Sequence, residues 1–105
     1  MQRSIDPVLR RFRAALDAAY GDRIERVVLF GSRARGEARP DSDYDIAVFL
    51  KNLRGFSEEA GEIAEIEVDI LSDTGAVINA IPMPAGAYRE RTGLMGELRR
   101  DGLDL

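Results

Sequence analysis

The chain has 105 residues, 45% of them apolar and 32% charged, and a net charge of −4; this is enough for one compact domain, 1–105, with one modest core. The acidic balance argues against tight non-specific nucleic-acid binding, which needs a basic field. With neither cysteine nor histidine, disulfides, thiolate nucleophiles, Cys/His zinc sites and Ser-His pairs are all excluded. No apolar run approaches the roughly 20 residues of a membrane helix. The N-terminus has no signal-peptide core, so the cytoplasm is the expected location.

In chain order, Asp6-Pro7 reads as an N-cap and first helical residue. Val8, Leu9, Phe12, Leu16 and Ala19 recur at helical spacing up to Gly21, predicting an amphipathic helix over 7–20. Residues 24–30 are rich in β-branched and large apolar types and read as a strand ending at Gly31. Residues 32–36 suit a short helix capped by Ser32, and 37–42 a polar loop. The second strand is expected over 43–50, with Ile46, Val48 and Leu50 on one face and Asp43, Asp45, Ala47 and Phe49 on the other. A short helix capped by Ser57 is expected to about residue 66. A third strand is expected over 65–71, with Glu67, Asp69 and Leu71 on the face opposite Ile66, Val68 and Ile70. Residues 72–75 read as a turn, and 76–81 as a strand making a hairpin with the third. Pro82 and Pro84 should break regular structure, leaving 81–84 as an apolar loop over the protein's own core or, failing that, as partner surface. A last helix is predicted from residue 85 or 86 to about 100, burying Tyr88, Leu94, Met95 and Leu98, with Gly102 just past its end.

The chemistry concentrates in Gly31-Ser32 and, ten residues further on, Asp43-Tyr44-Asp45. A strand that ends at a glycine and opens into a helix presents free N–H groups suited to phosphate oxygens, and the Ser32 hydroxyl adds a donor. Asp43 and Asp45, two apart on a strand, project their carboxylates from one face at roughly 7 Å backbone separation. Asp69 on a neighbouring strand would supply a third carboxylate, with Glu67 a neighbour rather than a ligand. Three such groups repel one another unless a divalent cation joins them, and a chain without His or Cys leaves Mg²⁺ or Mn²⁺ as the choice. Asp43 and Asp45 would hold the metal on a triphosphate. With Asp69 they would hold a second ion that activates a hydroxyl for attack on the α-phosphorus, and Asp69 could take its proton. Arg33 and Arg35 either neutralise outer phosphate charge or stand in solvent; Arg39 reads as loop.

Other motifs fail. Gly31 and Gly36 have Walker A spacing, but Glu37-Ala38 stands where Lys-Ser/Thr is required. Asp41, Asp43 and Asp45 mimic a calcium loop, yet Ile46 and Asn52 occupy its glycine and glutamate positions. A Rossmann glycine fingerprint is absent.

Gly31-Ser32, Asp43-Tyr44-Asp45 and Val68-Asp69-Ile70, in that order and spacing, resemble the polymerase-β-type nucleotidyltransferase superfamily. Chain length points to its minimal nucleotidyltransferase (MNT) branch, whose wording is similar to residues 30–36 and 41–48. The resemblance covers most of the chain. It implies an α/β fold, a small mixed and mostly antiparallel sheet flanked by helices. It also implies two Mg²⁺ ions and transfer of a nucleoside monophosphate, typically AMP from ATP, with Gly31, Ser32, Asp43, Asp45 and Asp69 as the matching residues. Many MNT proteins are antitoxins paired with a HEPN-domain ribonuclease and resemble enzymes that AMPylate a tyrosine of that toxin. A HEPN toxin is therefore the expected partner; neutralisation by contact alone, or transfer to another protein or a small molecule, are the rival readings, and a homo-oligomer is compatible with all of them. Unlike larger relatives, these residues show no second domain to hold a bulky acceptor, which favours a protein acceptor docked in trans.

Overall fold

The computed structural model describes residues 6–105; residues 1–5, on which the expectation of no signal peptide rests, lie outside the described residues. The first helix, α1 (Pro7–Tyr20), starts where expected: Asp6 accepts hydrogen bonds from the Val8 and Leu9 amides, and Pro7 takes the position where a missing N–H costs nothing. Leu9, Phe12, Leu16 and Tyr20 form its buried stripe, each contributing about 1.5–3 kcal/mol by leaving water. A single 3₁₀ turn (Gly21–Arg23) leads into β1 (Ile24–Phe30), followed by the short helix α2 (Ser32–Arg35) and β2 (Tyr44–Leu50). The residue capping α2 is Gly31, and Ser32 is already its first helical residue.

The main departure from the sequence reading comes next. Helix α3 runs unbroken over Phe56–Thr74 with Gly55 as its cap, absorbing both the short helix and the third strand expected over 65–71. Ile66, Val68 and Ile70 alternate like a strand, but Glu59, Ile63, Ile66 and Ile70 also recur at three- and four-residue steps, and this second period wins. It buries Glu59, Ile63 and Ile70 and leaves Val68 57% and Leu71 45% exposed. Gly75, at φ 79°, ends the helix. The third strand is instead β3 (Ile78–Pro84), and it forms no hairpin: it lies parallel to β2. A parallel pair requires a long crossover connection, and α3 provides it.

The sheet order is β3-β2-β1-β4, with β1 antiparallel to both β2 and the two-residue β4 (Leu103–Asp104), which the sequence reading missed. The expected mixed α/β architecture is therefore present. Pro82 lies within β3 rather than breaking it, and Pro84 is the strand's last residue. The N–H of Ala80, two residues before Pro82, points off the sheet edge to the Glu67 carboxylate at 2.9 Å. Pro82 and Pro84 share that parity, so their missing N–H groups fall on the side with no strand to bond. Residues 85–92 hold a 3₁₀ turn (Ala87–Arg89) rather than the start of the last helix. Helix α4 begins only at Gly93, capped by the Thr92 side chain, and ends at Asp101.

Two layers cover the sheet. On one face α1 and α3 pack on Val27, Leu29, Ile46, Val48 and Leu50. On the other, Ala87, Met95 and Leu98 pack on Val28, Ala47 and Phe49, and Tyr88 meets Phe49 edge-on at 5.6 Å. Glu59 is fully buried beneath the first layer, paired with Arg23 and Arg54.

Candidate functional site at the β2 edge

Phe30 pairs with Asp45 across the β1–β2 ladder, so the turn that follows Phe30 lies beside Asp45. Gly31 makes that turn at φ 77° and ψ −157°, a combination populated essentially by glycine alone. A Cβ on Gly31 would stand 2.5 Å from Asp45 Oδ2. Absence of a side chain at position 31 is thus what lets the Asp45 carboxylate lie against the backbone turn. The Gly31 carbonyl accepts from the Ala34 and Arg35 amides, and the amides of Ser32 and Arg33 head the helix with no helical carbonyl ahead of them.

Asp45 is half-buried and shares a face with Ala47 and Phe49, the face covered by α4. Asp43, exposed just before β2, has the same parity as Asp45. Its Oδ2 accepts from Asn79 Nδ2 at 3.0 Å. Asn79 is the residue of β3 in register with Asp45, so Asp43, Asp45 and Asn79 gather where β2 and β3 begin, next to the Gly31 turn.

Asp69 does not join them. It lies exposed on α3, where its carbonyl accepts from Arg11 of α1 at 3.5 Å. Ile66 and Ile70 turn toward the sheet, and that face is opposite to the one from which Asp43 and Asp45 emerge. Among the described residues no three carboxylates form a group able to hold a metal. Glu67 is committed to the β3 edge, and burial raises its pKa, with the Ala80 amide opposing that shift.

Arg33 takes a structural post. Its guanidinium donates to the Ser42 carbonyl at 2.7 and 3.0 Å and to the Arg39 and Pro40 carbonyls, and it stacks 3.9 Å over the Tyr44 ring. The loop delivering Asp43 is thereby pinned to α2. Tyr44 extends this tie: its hydroxyl donates to Asp6 at 2.9 Å, and burial followed by the Asp6 hydrogen bond raises its pKa. Arg35 pairs with Glu37 at 2.9 Å and Glu97 at 3.3 Å on the surface. A polar cleft of about 300 Å³ opens beside this loop between Arg33, Asp41, Ser42 and residues 74–77.

Two carboxylates and an amide are hard oxygen donors of the kind that suit one Mg²⁺. The donor set for a second ion, as the sequence reading had it, lacks its third carboxylate. Sequence reasoning missed Asn79, because it lies in a segment whose strand pairing was assigned wrongly; its one signal was position, three residues before the Pro82 that marks an edge strand.

The profile of the Nucleotidyltransferase domain matches residues 9–92. Two proteins of Methanocaldococcus jannaschii are similar in sequence. "Putative protein adenylyltransferase MJ0604" is 32% identical over 72% of this chain and 70% of its own length. "Putative protein adenylyltransferase MJ0141" is 31% identical over 50% of this chain, which spans about half (52%) of that relative. Among solved structures, a "putative minimal nucleotidyltransferase" is 28% identical with a TM-score of 0.59, covering 91% of this chain and 90% of its own. A chain of a toxin–antitoxin structure with AMP-PNP shares the fold at a TM-score of 0.60 and 17% identity, over 89% of this chain and 68% of that one.

Proposed function

Because the chain belongs to the nucleotidyltransferase-domain family, we propose that it transfers AMP from ATP to a hydroxyl of a partner protein, a tyrosine of a HEPN toxin, and so acts as an antitoxin. One observation carries the reading: the Gly31 turn abuts Asp45, with Asp43 beside it on the same strand edge. The adenylyltransferase relatives support AMP as the group transferred, and the AMP-PNP toxin–antitoxin structure supports the triphosphate and the toxin.

Asp43 and Asp45 would hold a Mg²⁺ that neutralises triphosphate charge and orients the α-phosphorus. The Gly31 backbone leaves room for phosphate oxygens, and the Ser32 hydroxyl and the amides at the head of α2 donate to them. Arg33 keeps the 39–42 loop in place so that Asp43 stays aligned with Asp45. In the transfer the acceptor oxygen bonds to the α-phosphorus, the bond to the α–β bridging oxygen breaks, pyrophosphate leaves, and the hydroxyl proton passes to solvent. Arg35, paired with two carboxylates, is left as a surface residue that could meet outer phosphate charge.

A second reading, neutralisation by contact, draws on the missing third carboxylate. Incubation with α-labelled ATP, Mg²⁺ and the product of the adjacent gene separates the two. Label on the partner that Asp43→Asn abolishes supports transfer. Neutralisation that persists in this variant without labelling supports contact alone.

A further inference from the structure

We infer that Asn79 is the third side chain of this site and that the site consequently takes one divalent cation rather than two; the inference rests on the nucleotidyltransferase reading above. Parallel pairing sets Asn79 beside Asp45, and its amide donates to Asp43 Oδ2 at 3.0 Å. The next β3 residues of the same parity, Ile81 and Met83, are apolar. Glu67, the α3 carboxylate bonded to β3 among the described residues, is used on the Ala80 amide.

The formal charge gathered at the edge is therefore −2, supplied by Asp43 and Asp45. One dication balances it. A second dication would have to share those carboxylates with the first and find a neutral amide where a third anion would otherwise offset repulsion. Asn79 also spends an N–H on Asp43, which orients that carboxylate without adding charge. As Asn79 is exposed, replacing it disturbs no core.

Mn²⁺ binding in the presence of AMP-PNP, counted by electron paramagnetic resonance and titration calorimetry, tests this on the intact chain. The wild type saturated with AMP-PNP should bind one Mn²⁺ per chain in all, the ion that the nucleotide shares with Asp43 and Asp45. Asn79→Asp should add a second ion or tighten Mn²⁺ at least tenfold, and Asn79→Ala should do neither. Two ions on the wild type, or an unchanged count and affinity in Asn79→Asp, would overturn the inference while leaving the nucleotidyltransferase reading standing. Wild-type protein that binds neither Mn²⁺ nor AMP-PNP would overturn both.

Discussion

Substituting Gly31 by alanine separates backbone strain from damage to the site, because Gly36 provides an internal control. Both residues have nearly the same φ, 77° and 76°. A Cβ on Gly36 would meet nothing within 4 Å, whereas one on Gly31 would meet Asp45 Oδ2 at 2.5 Å and its Cβ and Cγ at 3.4 Å. Gly36→Ala should cost about 1–2 kcal/mol, the left-handed penalty of an L-residue. Gly31→Ala begins from a backbone region almost closed to other residues, a strain of about 1–3 kcal/mol. It also pushes the Asp45 carboxylate off its rotamer for about 1 kcal/mol more. The total is about 2–4 kcal/mol, and each kcal/mol lowers the midpoint of a domain this size by about 4–8 °C. The functional signature is sharper, since a displaced Asp45 should weaken Mn²⁺–AMP-PNP binding by about tenfold or more, some 1.4 kcal/mol, while Gly36→Ala leaves it unchanged once folded. Thermal denaturation and titration calorimetry at a temperature where both variants are native measure the two effects. Equal thermal losses with equal nucleotide affinity would refute the claim that Gly31 makes room for Asp45.

Other expectations concern the scaffold. The buried Glu59 carboxylate would be raised by desolvation, yet hydrogen bonds from Arg54 and Arg23 outweigh that and bring its pKa down to about 2. A folded pKa below the unfolded one gives stability that is full above the unfolded value and lost as pH falls through the folded one. Discounted for its partly exposed arginine partners, this is about 1–3 kcal/mol disappearing between pH 5 and 2, and Glu59→Gln should flatten that stretch of the denaturation curve. Arg33→Lys retains charge but loses the fork across the Ser42, Arg39 and Pro40 carbonyls; protease nicking within residues 37–42 should rise and nucleotide affinity fall, with the thermal midpoint nearly unchanged. Phe12→Ala empties a fully buried position of α1 and should cost about 3–5 kcal/mol in urea denaturation.

Local signals made much of the fold legible. Asp6-Pro7 and Gly21 bracket α1, and the alternation in β2 correctly separates Ile46, Val48 and Leu50 from Asp45, Ala47 and Phe49. Legibility failed where two periods competed. Residues 65–71 satisfy both a strand and a helix pattern, and what decides between them is long-range: β2 and β3 are parallel, so a helix must carry the chain back. The two-residue β4 was hidden for a related reason, since Leu103 and Asp104 owe their strand geometry to β1 rather than to their own propensity.

That single ambiguity has consequences for chemistry. Had residues 65–71 formed the strand beside β2, Asp69 could have pointed at Asp43 and Asp45. Because they are helical, the strand that pairs with β2 begins at Ile78, and the side chain in register with Asp45 is Asn79. A neutral amide then stands where the sequence reading put an anion. Asp43, Asp45 and the Gly31 turn come from the β1–β2 hairpin, which is set by its own local ladder and would be placed alike in either case. The part of the site proposed to hold the nucleotide is thus robust to the misreading, while the third side chain beside the two carboxylates depends on which segment becomes the third strand. For that reason, Asn79→Asp should alter Mn²⁺ count or affinity, and with it transfer, before it alters nucleotide affinity.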